Sequence, residues 1–140
     1  MILACDIGLK RIGIATCING IILPLQPILR KNRMQASKEL DALLISRQID
    51  TLVIGLPCSE SKQCQETKQR ILFFCNLLES NVKKVFIDED FSSYEATSKI
   101  QHLKKQKKQN SLKDGKLDSL AACEILRRYL NNPNASLIIS

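Results

Sequence analysis

Residues 2–25 read ILACDIGLKRIGIATCINGIILPL, and this stretch decides the fold. Ile2 to Asp6 is apolar up to its last residue, as expected of a central strand buried on both faces. Gly8-Leu9-Lys10 then supplies a turn. Arg11 to Cys17 alternates, with Ile12, Ile14 and Thr16 on one side. Asn19-Gly20 is a tight-hairpin dipeptide, after which Ile21 to Leu25 predicts a third strand ended by proline. Three consecutive strands joined by tight turns make an antiparallel meander.

Beyond Leu25 the period changes. Met34 to Arg47 has helical spacing, with Leu40, Leu43 and Leu44 on one face. Thr51 to Ile54 is a short apolar strand that stops at Gly55-Leu56-Pro57. Ser61 to Ser80 is helical, with Ile71, Phe74, Cys75 and Leu78 inward, and Val82 to Ile87 is a fifth strand. Ser92 and Glu95 form a capping-box pair that opens another helix. Residues 101–114 are polar and lysine-rich, and a last helix is expected from about Lys116 to Leu130. Strands four and five, each reached through a helix, should run parallel to strand one. The expectation is an α/β domain over residues 1–132, a five-stranded mixed sheet with helices on both faces, followed by a tail over 133–140.

Composition narrows the class. A chain of 140 residues suffices for one domain with a real core, and no apolar run is long enough to span a bilayer. The N-terminal MILAC run lacks a basic region and a cleavage site, so it reads as a strand rather than a signal peptide. Six cysteines without a C-x-x-C pair, most within apolar runs, suggest reduced thiols in the cytoplasm. A single histidine, His102, argues against zinc and is read as incidental; a metal here would be a hard one on oxygen ligands. The four phenylalanines, Phe73, Phe74, Phe86 and Phe91, are expected in the core. Net charge is +7, concentrated in Lys99, Lys104, Lys105, Lys107, Lys108, Lys113 and Lys116, with a smaller cluster at Arg30, Lys31 and Arg33. Such an excess favours polyanions or simply keeps a helix face solvated.

Three acids stand where a purely structural sequence would not put them. Asp6 ends an apolar strand, where an unpaired carboxylate costs roughly several kcal/mol and so needs a partner or a metal. Glu89 follows strand five, and ligands of open α/β sheets collect at the carboxyl ends of parallel strands. Asp118 interrupts the apolar segment Leu117-Asp118-Ser119-Leu120-Ala121-Ala122, while Asp114 is better placed as the cap. Carboxylates gathered at one sheet edge suit phosphodiester hydrolysis with two divalent ions about 4 Å apart. Mg²⁺ or Mn²⁺ is the expected cofactor, since oxygen ligands and water satisfy both. The lysines would then hold the backbone by charge rather than read bases.

Asp6-Ile7-Gly8-Leu9-Lys10-Arg11-Ile12-Gly13-Ile14-Ala15 resembles the opening D-x-G-x-K-R-I-G-[VI]-A of the YqgF family of RNase H-like nucleases. That family is described both as Holliday-junction resolvases and as nucleases that mature the small-subunit ribosomal RNA precursor. Val53-Ile54-Gly55-Leu56-Pro57 is similar to its V-[VI]-G-L-P. Asp88-Glu89 with Phe91-Ser92-Ser93-Tyr94-Glu95-Ala96 resembles its D-E-R-[LF]-[ST]-[ST]-x-x-A, and the Leu117–Ala122 segment resembles its [IV]-D-x-[IL]-A-A. The resemblance implies an RNase H-like sheet of order 3-2-1-4-5 and assigns catalysis and metal binding to Asp6, Glu89 and Asp118. It implies substrate contacts at Lys10 and Arg11, with Gly55, Ser92, Ser93, Lys113 and Lys116 as further candidates. Gly55 would admit a backbone amide close to substrate or simply end its strand.

Two departures stand out: Asp90 occupies the place of the family's usual arginine, and Cys58-Ser59-Glu60-Ser61-Lys62 lacks its loop glycine. The implied activity is hydrolysis of an RNA precursor, near the 5′ end of 16S rRNA. Expected partners are RNA, DNA junctions and ribosomal particles, with no membrane, for a monomer or homodimer. A junction-resolving DNA nuclease, a non-catalytic nucleic-acid or ribosome-binding module, and a phosphate-binding relative of sugar kinases and actin remain the alternatives.

Overall fold

Each expected strand and helix within the described residues forms, and their ends shift for identifiable reasons. A computed structural model describes residues 1–57, 61–88 and 116–131, with side chains from 119 onward in the last stretch. The elements are β1 (Ile2–Ile7), β2 (Arg11–Ile18), β3 (Ile21–Leu29), α1 (Arg33–Ser46), β4 (Thr51–Leu56), α2 (Lys62–Asn76), β5 (Lys83–Asp88) and α3 (Lys116–Asn131). The helix expected from Ser92, the lysine-rich run before Lys116 and the tail lie outside the described residues.

The sheet has the order β3-β2-β1-β4-β5, with β1, β2 and β3 antiparallel and β4 and β5 parallel to β1. Asn19 and Gly20 take positive φ values of 53° and 82°, as a two-residue hairpin turn requires. β3 does not stop at proline. It runs through Pro24 and Pro27 to Leu29, because an edge strand has one side on which a missing N–H costs nothing. Its pairing shifts between Ile12↔Ile28 and Ile14↔Leu25, leaving Gln26 and Pro27 opposite Gly13 in a bulge.

Strand alternation sorts the core into two layers. Leu3, Cys5, Ile7, Ile12, Ile14, Leu52, Ile54 and Leu56 pack with α1 and α2 through Ala36, Leu40, Leu44, Ile71 and Phe74. Ala4, Ala15, Val53, Val85 and Ile87 pack on the other face, against Ala122, Cys123, Ile125 and Leu126 of α3. Small residues on that second face let the α3 backbone come close to the strands.

Helix ends are set by side chains. Asn32 and Gln35 close a reciprocal capping box at the start of α1, and the Ser61 hydroxyl accepts from Cys64 N at α2. α2 ends at Asn76, short of the expected Ser80. The Asp41 carboxylate of α1 draws the next free amides away, accepting from Glu79 N at 2.9 Å and Ser80 N at 3.1 Å. Phe74 is fully buried, but Phe73 is half exposed, which corrects the expectation that it fills the core. Phe91 lies outside the described residues.

Among the described residues, Cys5, Cys17, Cys64, Cys75 and Cys123 form no disulfide. Among the described residues no helix is long and apolar enough to cross a membrane. Burial pushes the Cys75 thiol up to about 12. The folded chain therefore keeps this proton where the unfolded chain releases it, and stability falls as pH rises from roughly 9 toward 12. Urea titrations across that range should show the decline, and Cys75→Ala should flatten it. In the native protein at pH 8, Cys75 should resist iodoacetamide until the chain unfolds.

Candidate active site

The alternation that buries β1 decides where Asp6 points. Leu3, Cys5 and Ile7 face α1 and α2, so Asp6, in phase with Ile2 and Ala4, belongs to the α3 face. It lies at the C-terminal end of the central strand and is half-buried. Across the antiparallel ladder it pairs with Gly13, which shares this face with Ala15 and Cys17. The parallel register sets Cys5 beside Ile54, and one further step sets Asp6 beside Gly55, on the face of Val53. The carboxylate thus stands between two glycines on the flanking strands. A strand glycine weakens a sheet and often marks a close approach, here leaving a floor without side chains around one acid.

The first turns of α3 are locked at the same level. Ser119 is fully buried; its hydroxyl accepts from Ile14 N at 3.1 Å and donates to Leu25 O at 2.7 Å. Ile14 and Leu25 flank the bulge opposite Gly13, so the hydroxyl bridges β2 and β3 where their ladder is interrupted. Asp118 is the residue before Ser119 in α3. Farther along the helix, Arg128 Nη1 donates to the Asp88 carbonyl at 3.1 Å, at the last residue of β5. Glu89 follows Asp88 in the chain. One helix is therefore tied to the strands beside Asp6 and to the strand end that precedes Glu89.

The three expected acids are described to different depths. Asp6 has a described side chain. Asp118 and Lys116 are described as helix backbone only. Glu89, Ser92, Ser93 and Lys113 lie outside the described residues, as do Asp90, His102 and Asp114. Among the described residues no group of three metal-ligating side chains forms. Gly55 does not end its strand, because β4 continues through Leu56.

Lys10 and Arg11 are exposed at the turn after β1. That turn is tight: Gly8 N donates to Arg11 O at 3.0 Å, and a Cβ on Gly8 would lie 2.7 Å from the same oxygen. The guanidinium of Arg30 donates to Gly8 O, and Arg30 N donates to Lys10 O at 2.8 Å. Sequence reading found Asp6 but missed Ser119, Gly13 and the contact from Arg30. For Ser119 the signal was a lone hydroxyl inside an apolar helical run.

Ser119→Ala should cost roughly 2 kcal/mol in urea unfolding, because it strips a buried amide and carbonyl of their shared partner. Gly8→Ala should lower Tm and disturb the Asp6 turn, since the added methyl meets backbone rather than a movable side chain.

The model of the family described as RuvX, Holliday junction resolvase, matches residues 1–132. A Helicobacter hepaticus protein named as a candidate pre-16S rRNA nuclease is 47% identical over 131 residues, covering 94% of this chain and 95% of its own. A Helicobacter pylori relative of the same name is 52% identical over 129 residues, covering 92% and 94%. Among solved structures, the fowlpox virus Holliday junction resolvase aligns with a TM-score of 0.54 at 18% identity, covering 94% of this chain and 98% of that one. Thermus thermophilus RuvC in complex with a Holliday junction aligns at 0.52 and 11% identity, covering 97% and 98%. These distant likenesses concern the fold, and they agree with the RNase H-like sheet order found here. With a whole-domain family match and close relatives along nearly its entire length, the chain belongs to the RuvX (YqgF) family.

Proposed function

We propose that this chain is a metal-dependent nuclease that hydrolyses RNA phosphodiester bonds and matures the 5′ end of the 16S rRNA precursor in the cytoplasm. The observation that carries the reading is the setting of Asp6: a carboxylate at the C-terminal end of the central strand, between Gly13 and Gly55. The names of the close relatives support RNA as substrate.

The donor chemistry fits a hard divalent ion. Carboxylate oxygens suit Mg²⁺ or Mn²⁺, and glycine on the flanking strands places no side chain beside the acid. Asp6, Glu89 and Asp118 would hold the pair of ions. When bound, such ions supply an activated water near neutral pH and neutralise charge on the leaving oxygen. The remaining work falls to the chain. Lys10 and Arg11 bind the phosphates that approach over the turn, without reading bases. Gly55 lets the substrate backbone come close to β4. Ser92, Ser93, Lys113 and Lys116 are further contacts to the substrate in this reading, and Ser119 holds Asp118 in place through α3.

The RuvX family description favours a second reading, cleavage of four-way DNA junctions. Labelled single-stranded RNA carrying a pre-16S 5′ leader, and a four-way junction, should each be incubated with Mn²⁺, Mg²⁺ or EDTA. RNA cleavage that needs metal and falls at least about a hundredfold in Asp6→Asn is the expected result, a loss of about 2.7 kcal/mol or more of transition-state stabilisation. Mn²⁺ should also raise the Tm of the wild type and not of Asp6→Asn, a readout independent of turnover. Preferential cutting of the junction would favour the second reading. Binding without cleavage under any metal would mark the chain as a binding module.

A further inference from the structure

We infer that Arg30, Arg33 and Arg70 form a second phosphate-holding subsite, which grips the nucleic-acid backbone beside the Asp6 turn. The subsite rests on the nucleic-acid reading above and extends it to residues outside the carboxylate centre.

The three guanidiniums come from three segments of the chain. Arg30 follows β3, Arg33 opens α1, and Arg70 lies on α2. Arg30 stacks over the ring of Phe74, 5.1 Å from its centroid, and Arg33 over that of Phe73, at 4.9 Å. Stacking fixes a guanidinium's plane while leaving its N–H edges for other partners. Arg30 spends one edge on the Gly8 carbonyl. Arg70 donates to Thr67 Oγ1 at 3.2 Å, a neutral partner.

Among the described residues, no ion pair joins an acid to any of the three arginines; those of Met1 with Asp50 and of Glu124 with Arg127 lie elsewhere. Burial weakens the hold of Arg30 on its proton, and the charges of Arg33 and Arg70 act in the same direction. Like charges pressed together and partly desolvated oppose folding unless an anion joins them. A phosphodiester backbone supplies that anion at regular intervals, and arginine forks match phosphate oxygens two at a time.

Position adds to the argument. Gly8, which accepts from Arg30, is two residues beyond Asp6, at most about 7 Å of extended chain. Lys10 and Arg11 follow Gly8 in the same turn, and Lys10 O accepts from the Arg30 amide. A strand crossing from Asp6 over the turn meets this cluster next. The lysine-rich run before Lys116 is a separate stretch of sequence, so its charge does not account for these contacts.

The test is binding of a short labelled single-stranded RNA in EDTA, so that nothing is cut, across a range of salt. The Arg33→Gln/Arg70→Gln double variant leaves Arg30 and its cover over Phe74 intact. It should bind roughly tenfold more weakly, with a log–log salt slope shallower by about 1.4, or 0.7 for each lost contact on a single strand. Its Tm without RNA should hold or rise, because repulsion is relieved. Arg47→Gln/Lys83→Gln, which removes the same charge near the opposite ends of α1 and β5, should keep the wild-type slope.

An unchanged slope in a folded Arg33→Gln/Arg70→Gln protein overturns the subsite, as does an equal loss in the Arg47→Gln/Lys83→Gln control. A fall in Tm with unchanged binding would assign the arginines to the fold instead. Arginine-dependent binding without cleavage in Mn²⁺ would leave the subsite standing while removing the nuclease reading. Metal-dependent cleavage with binding indifferent to these arginines would do the reverse.

Discussion

The Ser119 hydroxyl, wedged between Ile14 and Leu25, is the contact on which the arrangement of this domain turns. A bulge between β2 and β3 leaves their ladder interrupted, and a buried unpaired amide or carbonyl costs roughly 1–3 kcal/mol. One serine satisfies both strands and fixes a helix to them. The neighbouring residue on that helix is Asp118, and the neighbouring position in the strands is Gly13, the partner of Asp6. The hydrogen bond that repairs the sheet therefore also sets the level at which helix and central strand meet.

The two faces of the sheet divide the tasks. Large aliphatic side chains and Phe74 fill the layer under α1 and α2, where burial supplies most of the stability. The α3 face is built from smaller residues: Ala4, Ala15, Val53 and the two glycines beside Asp6. Glycine in a strand forgoes packing and loses more entropy on folding than any other residue. Two of them beside one acid give up packing and stability, the kind of local conflict found where a protein binds something.

Charge follows the same division. The acid lies on the α3 face, whereas Arg30 and Arg33 cover aromatic rings of α2. The Gly8 turn joins the two, since its amide closes on Arg11 and its carbonyl takes a guanidinium N–H. Anionic substrate and acidic centre repel each other in the absence of counter-charge, so cations stacked just beyond the turn offset that repulsion without neutralising Asp6 directly.

Much of this is legible in the amino-acid sequence. Apolar alternation, Asn19-Gly20 and the switch to helical spacing determine the strand and helix order, because side-chain burial has a fixed period in each element. The acid at the end of an apolar strand announced itself for the same reason: burial makes an isolated carboxylate conspicuous. Other features were not legible. That β3 continues through two prolines depends on its being an edge strand, and that half-exposed Phe73 meets Arg33 depends on how α1 lies beside α2. That Gly13 and Gly55 flank Asp6 depends on register, and that Ser119 bridges two strands depends on contacts 94 and 105 residues apart along the chain. Local chemistry sets which elements form. Only the packed structure decides which residues from distant elements share one edge, because that choice is made by pairing and burial across the whole sheet.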